Sequence, residues 1–221
     1  LLEKSNNIGA AWVGHLVGAK QLSYYFKEFG LGEKSGIELE GEDTGVIHDY
    51  ADWTDIDTAT AAFGQGISAT PLQVINSFNV IANGGFLLQP KIVDKIIDQD
   101  EVIELPTRQV KRVLSKETSE TMVSLLESAA DSGEAKYFVL KNYQVAGKTG
   151  TAQIPFEGEY DPEKTNATFV GFLSNSRKYT MIVKLEQPRS SVYAAETAAP
   201  LWMDITEELV KIYGIPPDKQ L

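Results

Sequence analysis

Lys148, Thr149, Gly150 and Thr151 sit together in the run from Val145 to Gln153, which supplies a lysine, two hydroxyls and two glycines. The flanks, Tyr143 to Val145 and Ala152 to Ile154, read as strand. A short run of this kind on a strand edge suits a carboxylate ligand. The lysine brings charge, the threonines bring hydrogen-bond donors, and Gly150 lets a second backbone come close. The plainer reading is a solvated lysine at a glycine-rich turn, and the run alone leaves both open.

Two nucleotide-binding readings fail on context. Gly147-Lys148-Thr149 matches the end of a phosphate-binding loop, but that motif needs a glycine where this chain has Asn142. It also needs a helix directly afterwards, and Ala152-Gln153-Ile154-Pro155 is a poor helix start. Gly64-Gln65-Gly66-Ile67-Ser68-Ala69 imitates a dinucleotide fingerprint, yet it follows a helix rather than a strand.

Composition narrows the remaining chemistry. The 221 residues are 43% hydrophobic and 23% charged, ordinary values for a globular protein with ample core. Net charge is −11, and no basic stripe is present to neutralise phosphates, so nucleic acid is not an expected partner. The absence of cysteine excludes disulfides, thiolate metal sites and a cysteine nucleophile. His15 and His48 are isolated and read as surface or packing residues, so neither a metal nor any other cofactor is expected. No stretch approaches the roughly 20 apolar residues of a membrane span, and no signal-peptide pattern opens the chain. Leu1 in place of methionine is taken to mean that a longer protein continues upstream.

The elements that must position these residues follow from periodicity. Ile8 to Phe29 reads as two helices meeting near Gly14 or Gly18, with Trp12, Leu16, Tyr25 and Phe26 as core. Ser35 to Gly45 reads as irregular and extended. Thr54 to Phe63 reads as a short helix. Thr70-Pro71-Leu72-Gln73 predicts a capped helix running to Ile81 or Ala82. A hairpin is expected over Lys91 to Leu105, turning at Asp98 to Glu101. A helix capped by Ser115 is expected to bury Met122, Leu125, Leu126 and Ala129, and to end at Gly133. After the motif strand come a polar loop, Phe156 to Lys164, and two strands, Ala167 to Leu173 and Tyr179 to Leu185, in an antiparallel meander. A last helix starts near Pro200 with Leu201, Trp202, Ile205, Leu209 and Ile212 on its buried face. Helices first and antiparallel strands later predict an α+β fold.

Several separated stretches together resemble one family. Ser5-Asn6-Asn7 fits Ser-x-Asn, and Lys148-Thr149-Gly150 fits Lys-Thr-Gly, two of the three motifs of penicillin-binding proteins and serine β-lactamases. Phe63-Gly64-Gln65-Gly66 with Thr70-Pro71-Leu72-Gln73, Ala82-Asn83-Gly84-Gly85 before Pro90, and Phe169-Val170-Gly171-Phe172 are similar to the transpeptidases of class B type. The resemblance spans almost the whole chain. It implies a peptidoglycan D,D-transpeptidase that cross-links stem peptides through a serine acyl-enzyme and is acylated by β-lactams.

By motif, the resemblance implies that Ser5 relays a proton towards the leaving amine. Asn7 holds a substrate carbonyl and helps to position the family's lysine. Lys148 with Thr149 and Thr151 binds the terminal carboxylate, and the Thr151 N–H supplies one oxyanion donor. The substrate lies along the motif strand as an added strand does. The plain reading of Ser5-Asn6-Asn7, a helix cap before Ile8, can hold at the same time.

The chain departs from the family in one decisive respect. The nucleophile motif is Ser-x-x-Lys, and none of the 14 serines here has lysine three positions later. The expectation is therefore the C-terminal part, residues 1–221, of one transpeptidase domain, inactive alone. About 1–85 is expected to be mainly helical, about 86–142 a hairpin and helix, and about 143–221 strands and a C-terminal helix. Three of the family's five strands are expected, so Tyr179 to Leu185 loses its outer neighbour and presents unpaired N–H and C=O groups. Gly133-Glu134-Ala135 stands where the family often has Gly-Thr-Ala, a departure bearing on loop conformation and given no catalytic role. The resemblance further implies anchorage on the extracytoplasmic face of the bacterial membrane through an upstream segment. It also implies a role in cell division or cell shape, and membrane-bound cell-wall synthesis partners. The competing functions are a non-catalytic module binding muropeptides or partner proteins, and a carboxypeptidase- or β-lactamase-like hydrolase.

Overall fold

A computed structural model describes residues 1–99, 101–156 and 159–219, with the side chains of residues 155–163 left aside. The fold is α+β, as expected. Helix α1 (Asn7–Val17) and α2 (Ala19–Glu28) meet at Gly18, whose φ of +82° is open to glycine at no steric cost. Helices α3 (Asp55–Ala62) and α4 (Pro71–Ala82) both begin in capping boxes, Thr54 with Asp57 and Thr70 with Gln73. Gln73 has a second task. Its buried amide donates to the carbonyls of Glu33 and Thr44, both at 2.8 Å, and so ties the irregular segment around residues 35–45 to α4.

The core places expected for Trp12 and Leu16 on α1, and for Tyr25 on α2, are a correction. Trp12 is 63% exposed, and Ile8 and Leu16 are exposed beside it. The cause is Gly14, where an added Cβ would lie 2.5 Å from the Cβ of Ala62. Helix α1 approaches α3 through its smallest residue, and its large apolar side chains point away.

Strands β1 (Phe86–Leu88) and β4 (Gln109–Arg112) pair antiparallel, a ladder too short to leave a period in the sequence. Between them β2 (Lys95–Asp98) and β3 (Glu101–Glu104) form the expected hairpin, which begins at Lys95 rather than at Ile92. Part of its turn, Asp100, lies outside the described residues.

Helix α5 (Lys116–Ser132) is capped by Ser115 and ends at Gly133, but its buried stripe is Ser119, Val123, Leu126, Ala129 and Ala130. Leu125 is 45% exposed, contrary to expectation. The stripe was masked by Ser119, a polar residue inside it, whose hydroxyl donates to the carbonyl of Ile81 at 2.5 Å.

Strands β5 (Val145–Phe156), β6 (Glu159–Leu173) and β7 (Thr180–Glu186) form an antiparallel sheet in that order. The polar loop expected over Phe156 to Lys164 is a correction, because both strands run on into a hairpin. Residues 157 and 158 lie outside the described residues. Among the described residues β5 and β7 each pair on one side only. One sheet face carries Ala146 and Phe172 against α4 and α5, with Ile81, Val123 and Leu126. The other carries Val145, Ala167, Phe169 and Leu173 against α6 (Ala198–Ile212). Helix α6 buries Ala198, Ala199, Trp202, Met203, Thr206 and Val210. Leu201, Ile205 and Ile212 are exposed, a second correction of phase, because small residues rather than leucines set its distance from the sheet. Trp202 packs edge-on to Phe169 with ring centroids 5.1 Å apart, and its indole N–H donates to the carbonyl of Met181 at 2.9 Å.

Candidate active site

Strand β5 is an edge strand, so one row of its N–H and C=O groups faces away from β6. Lys148, Thr149, Gly150 and Thr151 lie on this edge, opposite Val170, Phe169, Thr168 and Ala167 of β6. The register is held close by paired glycines. Gly147 faces Gly171, and a Cβ on Gly147 would stand 2.6 Å from the Phe169 ring. Gly150 is different, since the nearest atom to an added Cβ is 3.9 Å away.

Residues separated by most of the chain meet at Lys148. Its ammonium donates to the hydroxyl oxygen of Ser5 at 2.9 Å, to the Thr149 carbonyl at 3.1 Å and to the Thr149 hydroxyl oxygen at 3.2 Å. Burial pulls its proton affinity below the usual lysine range, and the nearby Glu134 carboxylate opposes that shift. Because Lys148 is the donor, the proton on Ser5 is left for another acceptor.

Ser5 is held from two sides. Asn6 caps α1, accepting from the Gly9 N–H at 2.7 Å, and Ser5 itself adopts φ of +45°, uncommon for a non-glycine residue. The Glu3 carboxylate accepts from the Ser128 hydroxyl on α5. Gly133 permits this approach, because a Cβ there would lie 2.7 Å from the Glu3 carbonyl and 2.1 Å from that of Ala129. The cap reading of Ser5-Asn6-Asn7 holds at Asn6, and the cap leaves the Ser5 hydroxyl beside Lys148.

The other expected residues divide. Thr149 is buried and donates its hydroxyl proton to Glu134 Oε2 at 2.6 Å. Thr151 accepts from the Ala194 N–H at 3.1 Å, which leaves its own proton free. Asn7, the first residue of α1, is exposed and stands outside this hydrogen-bonded group. Glu134 is the residue that the motifs passed over. Its signal was the acidic residue in the Gly133-Glu134-Ala135 departure.

Among the described residues, no three acidic, histidine or cysteine side chains gather to hold a metal ion, and no helix is long and apolar enough to cross a membrane. A cavity of 530 Å³ between residues 138–143 and α6 contains none of the site residues. The site is an open edge, a shape suited to an extended chain rather than an enclosed small molecule.

The penicillin binding protein transpeptidase domain model matches residues 1–207. The chain is 32% identical to Stage V sporulation protein D of Bacillus subtilis, over 99% of this chain and 35% of that protein. It is 32% identical to the peptidoglycan D,D-transpeptidase FtsI of Buchnera aphidicola, over 100% of this chain and 38% of that protein. Crystal structures of penicillin binding protein 3 from Mycobacterium tuberculosis superpose with TM-scores of 0.89 for the apo form and 0.88 for the aztreonam complex. Identities are 28% and 29%, over 99% of this chain and 52% of theirs. The chain thus spans little more than a third of those relatives and about half of those structures.

Proposed function

The chain belongs to the penicillin-binding protein transpeptidase family, and we propose that it is the C-terminal part of a peptidoglycan D,D-transpeptidase. The observation that carries this reading is the 2.9 Å contact from Lys148 to Ser5, which joins the Lys-Thr-Gly and Ser-x-Asn motifs across most of the chain. In this reading a serine outside these residues attacks the penultimate carbonyl of a stem peptide and expels the terminal residue as an amine. The acyl group then passes to the amine of a neighbouring peptide. β-Lactams are acylating mimics of the same substrate.

The residues present supply the surroundings of that step. Lys148 and Thr151 hold the terminal carboxylate, one by charge and one by its free hydroxyl proton. The substrate adds to the outer edge of β5, with Gly150 giving it room. The Thr151 N–H stabilises the oxyanion. Ser5, polarised by Lys148, passes a proton to the leaving amine, and Asn7 holds a substrate carbonyl. The remainder of the domain covers the exposed apolar face of α1 and pairs with β7. The whole protein works on the extracytoplasmic face of the membrane beside other cell-wall synthesis proteins, in division or in maintaining cell shape.

Labelling the full-length protein with a fluorescent penicillin tests the reading. A covalent adduct is expected, and a protein that never forms one is a non-catalytic binding module instead. Lys148→Ala is expected to keep the fold and slow acylation by carboxylate-bearing β-lactams by roughly 100-fold, the loss of one charge-assisted contact.

A further inference from the structure

A hydroxyl has one proton to give. At Thr149 it goes to Glu134 Oε2, at 2.6 Å, while the same oxygen accepts from Lys148 at 3.2 Å. The two contacts place a Glu134 oxygen within about 6 Å of the Lys148 ammonium, and Glu134 is the charged group whose field reaches that lysine. While this arrangement stands, Thr149 cannot donate to a ligand, and the charge of Lys148 is already partly answered. The hydroxyl proton expected to serve a ligand carboxylate is therefore accepted by an internal one.

We propose that Glu134 is a specificity-determining residue, an internal competitor that occupies the Thr149 donor, sets a negative charge near Lys148 and weakens this site for ligands bearing a carboxylate. A ligand carboxylate reaching Lys148 is met by Lys148 and Thr151 as donors and by Glu134 as a like charge. Ligands with compensating contacts along the β5 edge tolerate this better than small monoanions that depend on the lysine. Glu134 is exposed, so its repulsion is screened by water, and the expected effect is modest. The proposal rests on the transpeptidase reading for its substrate, but its geometry does not depend on a nucleophile.

The test uses the full-length protein and two variants. Glu134→Gln keeps an oxygen that can accept from Thr149 and removes the charge, and Glu134→Ala removes both. Acylation by benzylpenicillin is expected to be about threefold faster in E134Q, the size of one unit-charge interaction near 6 Å in a largely aqueous setting. It is expected to be at least as fast in E134A. Acylation by the methyl ester of the same penicillin, which has no carboxylate charge, is expected to be unchanged. Equal rates for the acid in wild type and E134Q, or a rise shared by the ester, would overturn the proposal. If neither probe labels the wild type, the transpeptidase reading fails, and acetate binding then decides on Glu134 alone. Followed at the Lys148 side-chain resonance, assigned with K148R, acetate should bind about threefold more tightly in E134Q. An unchanged Kd would sink the idea.

Discussion

Two glycines three positions apart on β5 should respond to alanine in opposite ways. At Gly147 an added Cβ meets the Phe169 ring at 2.6 Å and the Val170 carbonyl at 3.0 Å. The ring cannot retreat, because Phe169 is fully buried against Trp202, whose indole is itself bound to Met181. Nor can the strands part easily, since Gly171 opposite would bring a Cβ to 2.6 Å from the Ala146 carbonyl and is equally tightly placed. Overpacking of this kind costs about 1–3 kcal/mol, so Gly147→Ala should lower the urea midpoint of the chain by that amount divided by its m-value. Gly150→Ala meets nothing closer than 3.9 Å, and stability should stay within about 0.5 kcal/mol of wild type. Its methyl group would instead stand on the open sheet face at the motif, beside the edge where the substrate backbone is proposed to lie. Penicillin acylation of the full-length protein should then fall by about 10- to 100-fold, the same steric cost expressed in binding. A stable G147A would refute the packing argument. A G150A protein with normal acylation would refute the placement of the ligand on this edge.

Other perturbations separate fold from site. Arg177 donates to both carboxylate oxygens of Glu120, at 2.8 and 2.5 Å, and this contact holds the Glu120 carboxyl below its usual range. A lowered carboxyl stabilises the fold above the ordinary carboxylate pKa and loses that contribution as pH falls through its folded value. Arg177→Ala should therefore flatten the acid limb of the stability profile, by at most about 1 kcal/mol given the exposure of the pair. Gly133→Ala should push the Glu3 carbonyl away, destabilise the chain by about 2 kcal/mol and release Ser5 from Lys148. A Lys148 resonance identical to wild type in that variant would show that Gly133 does not position Ser5.

The capped helices were legible because their signals are local. Thr54, Thr70 and Ser115 bond to backbone a turn away, and nothing distant competes. The helix faces were less legible, because Ser119 and Thr206 lie inside buried stripes while Leu125 and Ile212 lie outside them. Periodicity sees hydrophobicity, whereas packing here selects for small size and available hydrogen bonds. The same limit hid the exposure of Trp12, which follows from the close approach of Gly14 to α3. At the site, the motifs located Ser5 and Lys148, and the structure brings them together. Asn7 stands apart, and Glu134 was unreadable as a partner of Thr149 because its contact is made across a loop rather than along a strand.

The pairing of β5 with β6 is continuous from Val145 opposite Leu173 to Gln153 opposite Thr165, and then jumps to Ile154 opposite Asp161. The jump leaves residues 162–164 as extra chain on β6, a bulge between the motif and the hairpin tip. Its consequence is insulation. Residues beyond the bulge form a ladder whose register is set separately from that of the motif. A change of register between Ile154–Phe156 and Glu159–Asp161 is therefore absorbed at the bulge and leaves Lys148 opposite Val170.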